Sequence, residues 1–258
     1  LEIELIDQLG SQVTIITDFA MPVTTTSERI LIAIPVKNEA AVAKAVKKLV
    51  EPDEGIVLRN GVPGLEKLII WERVPPEDKS AALKISIGAI PMLPGQDPSE
   101  QEPLEEDGEG AGVFPNAAIA VTNGQLFISS HLDFLVKILK EREARDSLAA
   151  AIDFQVIGQK VRELGDERCA WVFSRTDKEY RATYELIRTN QMPESETMLG
   201  RMLNTMFGAG KKGVLRKQEI DGSKLPDFEV VRRHLGTAGG FGVSEEDGWF
   251  LKGFMLSK

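Results

Sequence analysis

The sequence predicts an α+β protein: repeated strand-turn-strand-helix units, with mostly antiparallel sheets packed against helices. Three observations lead there. Runs rich in β-branched residues, VTIITDF (13–19) and RILIAIPV (29–36), are joined by a short polar turn. Asn123-Gly124 and Asp247-Gly248 each lie between apolar runs, the sequence form of a tight hairpin. Stretches of helical periodicity follow strand pairs instead of alternating with single strands.

Taken in order, an amphipathic opening (Ile3, Ile6, Leu9) stops at Gly10, and the two runs above give the first strand pair. Asn38 suits an N-cap, and Val42, Val46 and Leu49 mark one face of the following helix. Glu39 at its start and Lys47 and Lys48 near its end complement the helix dipole. IVLR (56–59) and LEKLIIWERV (65–74) read as a β pair around Asn60-Gly61. AAIAVT (117–122) and QLFISS (125–130) form the next hairpin. Ser130 then caps a helix on which Leu132, Leu135, Val136 and Leu139 share a face. Strand, turn, strand, helix thus occurs twice, at 13–50 and 117–143, an order that suggests internal duplication.

Beyond Asp146 the pattern changes. A helix is expected over 147–164, with Phe154, Ile157, Val161 and Leu164 in register, followed by CAWVFS (169–174) as a buried strand. Thr176 and Glu179 have capping-box spacing ahead of a helix bearing Tyr180, Tyr184 and Ile187. A further helix from about Glu194 to Phe207 carries Met198, Met202 and Met206 beside Leu199, Leu203 and Phe207. The breadth of that apolar stripe predicts core packing. The alternative is a partner-binding face, because methionine adapts to varied surfaces. DFEVVRRHLG (227–236) predicts a short helix, and FGVSE with WFLKGFML a closing hairpin. The expected division is an α+β domain over 1–144 and a smaller one, or a continuation, over 145–258.

Composition narrows the classes. With 258 residues, 42% hydrophobic and 28% charged, the chain is neither collagen, coiled coil, disordered tail nor disulfide scaffold. Folding at this length buries roughly 73% of the unfolded surface, so a substantial core is available. Cys169 stands alone, so no internal disulfide forms. The chain opens on Leu1 and reads as a segment of a longer product, from which an upstream signal or anchor could have been removed. The net charge of −9 is concentrated. Residues 94–112 hold seven acids (Asp97, Glu100, Glu102, Glu105, Glu106, Asp107, Glu109) and no Lys or Arg. That segment, with Leu104 as its one large apolar residue, is expected to be a disordered acidic insertion.

The chemical motifs are weak. Gly208, Gly210 and Gly213 satisfy G-x-G-x-x-G, yet a helix precedes them and a strand follows, the reverse of a dinucleotide fold. Lys211, Lys212, Arg216 and Lys217 beside them form a candidate anion-binding patch. Ser130, His131 and Asp133 hold the letters of a triad, but neighbours at a helix start diverge and capping explains them. His234 closes a helix, and Glu245, Glu246 and Asp247 cluster at a hairpin tip. Two histidines and one cysteine without ligand spacing point to no transition metal, and no cofactor is expected. An acidic chain without basic stretches interleaved with aromatics points away from nucleic acid.

The units RILIAIPVKNEAAVAKAVKKL and AAIAVTNGQLFISSHLDFLVKIL, then YELIR, MPESETMLGRMLN and the ending HLGTAGGFGVSEEDGWFLKGFML, resemble uncharacterised bacterial envelope proteins. These are long secreted or membrane-anchored chains carrying a domain of unknown function, and this segment resembles their C-terminal part. The resemblance covers most of the chain. It implies an extracytoplasmic location, periplasmic or membrane-anchored, and a partner among other envelope proteins. Any membrane association would come through an upstream anchor, and no active-site residues carry over. The expected function is a non-enzymatic structural or partner-binding module. The alternative is an enzyme domain acting on an anionic substrate near 208–217.

Overall fold

The computed structural model describes residues 5–53, 55–74, 116–141, 147–164, 169–207 and 217–257. The acidic segment 94–112 lies outside them. The chain groups into two compact units, Leu1–Thr17 with Arg29–Glu143, and Asp18–Glu28 with Ala144–Lys258. The class is α+β: among the described residues there are six α-helices and two antiparallel sheets.

The larger sheet contains β1 (Thr14–Phe19), β2 (Glu28–Pro35), β3 (Ile56–Arg59), β4 (Ile70–Arg73), β5 (Ala118–Thr122) and β6 (Gln125–Ser129). Its order is β1-β2-β6-β5-β4-β3. The β5–β6 turn is the one Asn-Gly encodes: Thr122 faces Gln125, with φ of 55° at Asn123 and 72° at Gly124. Positive φ at both central residues is the type I′ geometry that matches strand twist. Asn60-Gly61 does not act in this way. Strand β4 begins only at Ile70, so 60–69 is a longer connection, pinched by a Val62–Leu65 bridge.

Helix α1 (Glu39–Val50) starts as its sequence requires, the Asn38 side-chain oxygen accepting the Ala41 N–H at 3.0 Å. Its Val42, Val46 and Val50 bury against Trp71 and Leu126. Helix α2 (Leu132–Glu141) buries Phe134, Leu135 and Leu139 against Leu31, Ala33 and Phe127. Leu126 and Phe127 are consecutive on β6 and point to opposite faces, so the sheet carries one helix on each side. This limits the duplication to element order. A two-fold axis exchanging the antiparallel neighbours β2 and β6 would stand perpendicular to the sheet and leave both helices on the same face.

The smaller sheet is β7 (Ala170–Arg175), β8 (Thr237–Glu245) and β9 (Gly248–Met255), in that order. Helix α3 (Ile152–Leu164) covers one face, with Ile157 and Val161 packed on Phe173, Phe241 and Phe254. The Phe154 ring meets Trp171 at 5.2 Å and Phe173 at 5.1 Å between centroids. Arg175 fixes the start of α3 through a two-pronged bond to Asp153, at 2.6 and 2.9 Å. That bond holds the Asp153 carboxyl below its ordinary range.

The remaining helices are α4 (Thr176–Arg188), α5 (Met198–Phe207) and α6 (Phe228–Val231). The capping-box expectation for α4 is corrected. Thr176 lies inside the helix, buried, and its hydroxyl donates to the Gly236 carbonyl at 2.5 Å. Glu179 instead accepts from the Ser174 hydroxyl. At α5 the Glu28 carboxylate accepts the Met198 N–H at 2.7 Å, placing negative charge at the positive end of the helix. Burial still raises the Glu28 pKa, since that bond and Arg201 offset only part of the lost hydration.

Candidate functional site

Among the described residues, those that could carry chemistry do not converge on one site. Ser130 Oγ lies 2.9 Å from His131 Nδ1, which is hydrogen-bond distance for a nucleophile and its base. The same oxygen accepts the Ile30 N–H at 2.9 Å, and Ser130 is buried. It ties α2's leading turn to β2, which corrects its expected role as a helix cap. Asp133 faces Arg29 at 3.5 Å, an ion pair that competes for the carboxylate a triad would use to orient the imidazole. Loss of hydration and the nearby Arg29 cation push the His131 pKa down, against a smaller upward pull from Asp133. Folding therefore shifts the imidazole toward its neutral form.

The other candidates are dispersed. His234 is exposed at the end of the short 3-10 turn Arg232–His234. Glu245, Glu246 and Asp247 are solvated at the β8–β9 hairpin tip. Of the anion-binding patch, Lys217 is exposed, while Lys211, Lys212 and Arg216 lie outside the described residues, as do the three glycines. No group of three or more His, Cys, Asp or Glu side chains is placed to hold a metal among the described residues. Cys169 is free and exposed.

A shallow groove of about 430 Å³ runs beside α4 in the second unit. Arg181 and Arg188 face it, but so do Glu185, Asp227 and Glu229, and Arg188 is bonded to Glu185 at 2.8 Å. Acids outnumber bases in that lining, so the groove offers no anion site.

The apolar surface is more informative. Met198 and Met202 are 62% and 48% exposed, so the expected core-facing stripe is corrected. The α5 face turned inward holds Gly200, where a side chain would strike the Ser195 backbone. It also holds Asn204, whose amide donates to the Pro193 carbonyl at 2.8 Å. A small residue and a polar one at i, i+4 were the sequence signal for this orientation. The side chain of Met206 lies outside the description. Met202→Ala is expected to change stability by less than about 0.5 kcal/mol, the range for surface substitutions. Urea denaturation measures it, and a loss above about 2 kcal/mol would return the stripe to the core.

Another exposed apolar area lies on the smaller sheet. CAWVFS does form a strand, but not a buried one, because Val172 is 61% exposed. Val172, Trp249, Leu251 and Met255 project from the face opposite α3, with Trp249 67% and Leu251 74% exposed. Their neighbours across the strands include Gly240 and Gly242, which supply no side chains to cover them. Sequence periodicity reports how a strand alternates, not what lies over each face.

Strand β9 is also the sheet's edge. The Leu256 N–H donates to the Thr237 carbonyl at 2.9 Å, so Thr237 and Leu256 form a bonded pair. Antiparallel alternation from that pair leaves the N–H and C=O of Trp249, Leu251, Gly253 and Met255 directed to the free side. Polar backbone groups and large apolar side chains thus lie on one accessible strip. Compared with known proteins, the chain matches no family model, no curated protein and no solved structure.

Proposed function

We propose that this chain is a non-enzymatic module that binds a protein partner, with the β9 strip as its docking surface. The carrying observation is the coincidence of an unpaired strand edge with exposed Trp249 and Leu251. Edges of that kind recruit a further strand: backbone hydrogen bonds supply attachment, and alternate side chains supply selectivity. Patches of large apolar residues on a protein surface mark interaction sites. The exposed methionines of α5 form a second apolar area of the same unit. An extracytoplasmic setting and an envelope partner follow from the resemblance to envelope chains, and remain part of this proposal.

A photoreactive amino acid placed at Leu251 tests the reading in cells producing the chain. The expected result is one discrete cross-linked adduct from Leu251, and none from the same probe at exposed Lys44 on α1. Equal or absent cross-linking at the two positions would overturn it.

A further inference from the structure

Resting on that docking strip, we infer that its occupant is a second copy of this chain, with β9 pairing antiparallel to β9 about a two-fold axis at Leu251. The observation behind this is a glycine without a local reason. Glycine inside a strand weakens it, and it is kept where another backbone or side chain must come close. Within the paired region, Gly239 makes room for Ile157, Gly240 for the Lys252 carbonyl, and Gly242 for the Leu251 side chain. Among the described residues, Gly253 makes room for nothing. A Cβ there would meet only the Gly239 carbonyl, at 3.9 Å, an ordinary contact. Its φ is not positive either. Among the described residues, the space above Gly253 is open on the sheet face opposite α3.

Self-pairing explains the vacancy. Both strands must hydrogen-bond through the groups of residues 249, 251, 253 and 255, so odd residues face odd ones. With Leu251 opposite Leu251, Trp249 lies opposite Gly253 of the second copy, and the indole fills the space that glycine leaves. In the same register Phe250 faces Lys252 of the second copy, an aromatic ring against an ammonium group. The pairing uses the whole stretch Gly248–Phe254, within the strand's own limits. Moving it two residues one way sets Lys252 opposite Lys252, which like charges disfavour. Moving it two residues the other way shortens the paired stretch to Gly248–Lys252. A one-residue slip turns every side chain to the wrong face. The lysine, a residue that guards exposed edges, thus disfavours one neighbouring register, and the length of the paired stretch disfavours the other.

The test uses the full chain. Sedimentation velocity is expected to show a monomer–dimer equilibrium with a dissociation constant in the micromolar range, as suits a small interface. Gly253→Val is expected to weaken association at least tenfold, because its side chain occupies the Trp249 slot. Its thermal midpoint should be unchanged or higher, since a Cβ there makes only an ordinary contact and valine suits a strand better than glycine. In a Cys169→Ser background, Leu251→Cys is expected to oxidise readily to a covalent dimer. Facing residues of a bonded pair lie about 5.5 Å apart, within disulfide reach. Lys252→Cys, diagonal to its copy, is expected to stay monomeric. A chain that is monomeric at about 100 μM, or an association indifferent to Gly253→Val, would overturn the self-pairing. A Leu251 photoadduct containing a different protein would overturn it too while leaving the docking strip intact, whereas the absence of any adduct would remove both.

Discussion

Phe134→Ala is expected to destabilise the first unit by about 3–5 kcal/mol, the range for emptying an aromatic site in a core. Phe134 is 3% exposed and belongs to the cluster that joins α2 to Leu31, Ala33, Ile70 and Phe127. The loss has two parts. The ring's transfer from water is forgone, and the strand residues facing the hole cannot follow it, because their backbone is fixed by sheet bonds on both sides. Among the described residues α2 is the helix over this face, so no other one can shift inward to refill the site. Urea denaturation followed by fluorescence measures the change, with the slope expected to stay constant. A loss below about 1 kcal/mol would mean that α2 does not seal that side of the sheet.

What the sequence conveyed divides by the range of the forces involved. Asn38 and the Asn123-Gly124 turn were legible because each is decided within a few residues by backbone geometry or one side-chain bond. The closing hairpin was legible too, but its turn is shifted by one residue: Glu245 pairs with Gly248, so the loop is Glu246-Asp247 and Gly248 belongs to β9. The helices of both units followed from apolar spacing for the same reason. Sheet order was not legible: β6 inserts between β2 and β5, a choice made by long-range pairing that no local pattern records. Thr176 and Ser130 were assigned to caps because short polar side chains near helix starts commonly serve there. In the folded chain each reaches a backbone group far away in sequence, Gly236 and Ile30 respectively. The docking strip was hidden for a different reason. An apolar run announces that a strand has something to cover, and Val172 and Leu251 read like core residues until the missing layer is seen. Gly253 was visible throughout, but its meaning depends on knowing that its neighbours leave the space free.

Asp53→Asn and Arg73→Met break the same ion pair, and they are expected to differ in effect. Arg73 is a strand residue, its side chain 6% exposed, with one guanidinium nitrogen 3.1 Å from the Asp53 carboxylate. Its Nε is buried without a hydrogen-bond partner. Asp53 is the wetter member at 31% exposure, and its other oxygen accepts the Gly55 N–H at 2.9 Å. The amide introduced by Asp53→Asn can keep that turn bond while removing the compensating charge. A guanidinium cannot lose its proton at any accessible pH, so Arg73 would remain charged in a site that water hardly reaches. Breaking buried pairs in this way costs about 3–5 kcal/mol. Partial solvent access at Asp53 brings the expectation below that range, to about 2–3 kcal/mol. Arg73→Met removes the buried charge itself, together with the unpartnered Nε, and leaves Asp53 where water can solvate it. Its expected effect is within about 1 kcal/mol of the wild type, because an apolar side chain of similar length recovers packing as the ion pair is lost. Denaturant titration of the two variants side by side gives the comparison. Equal losses would show that the pair is held by geometry on both sides, and that the desolvated guanidinium is not the source of the asymmetry.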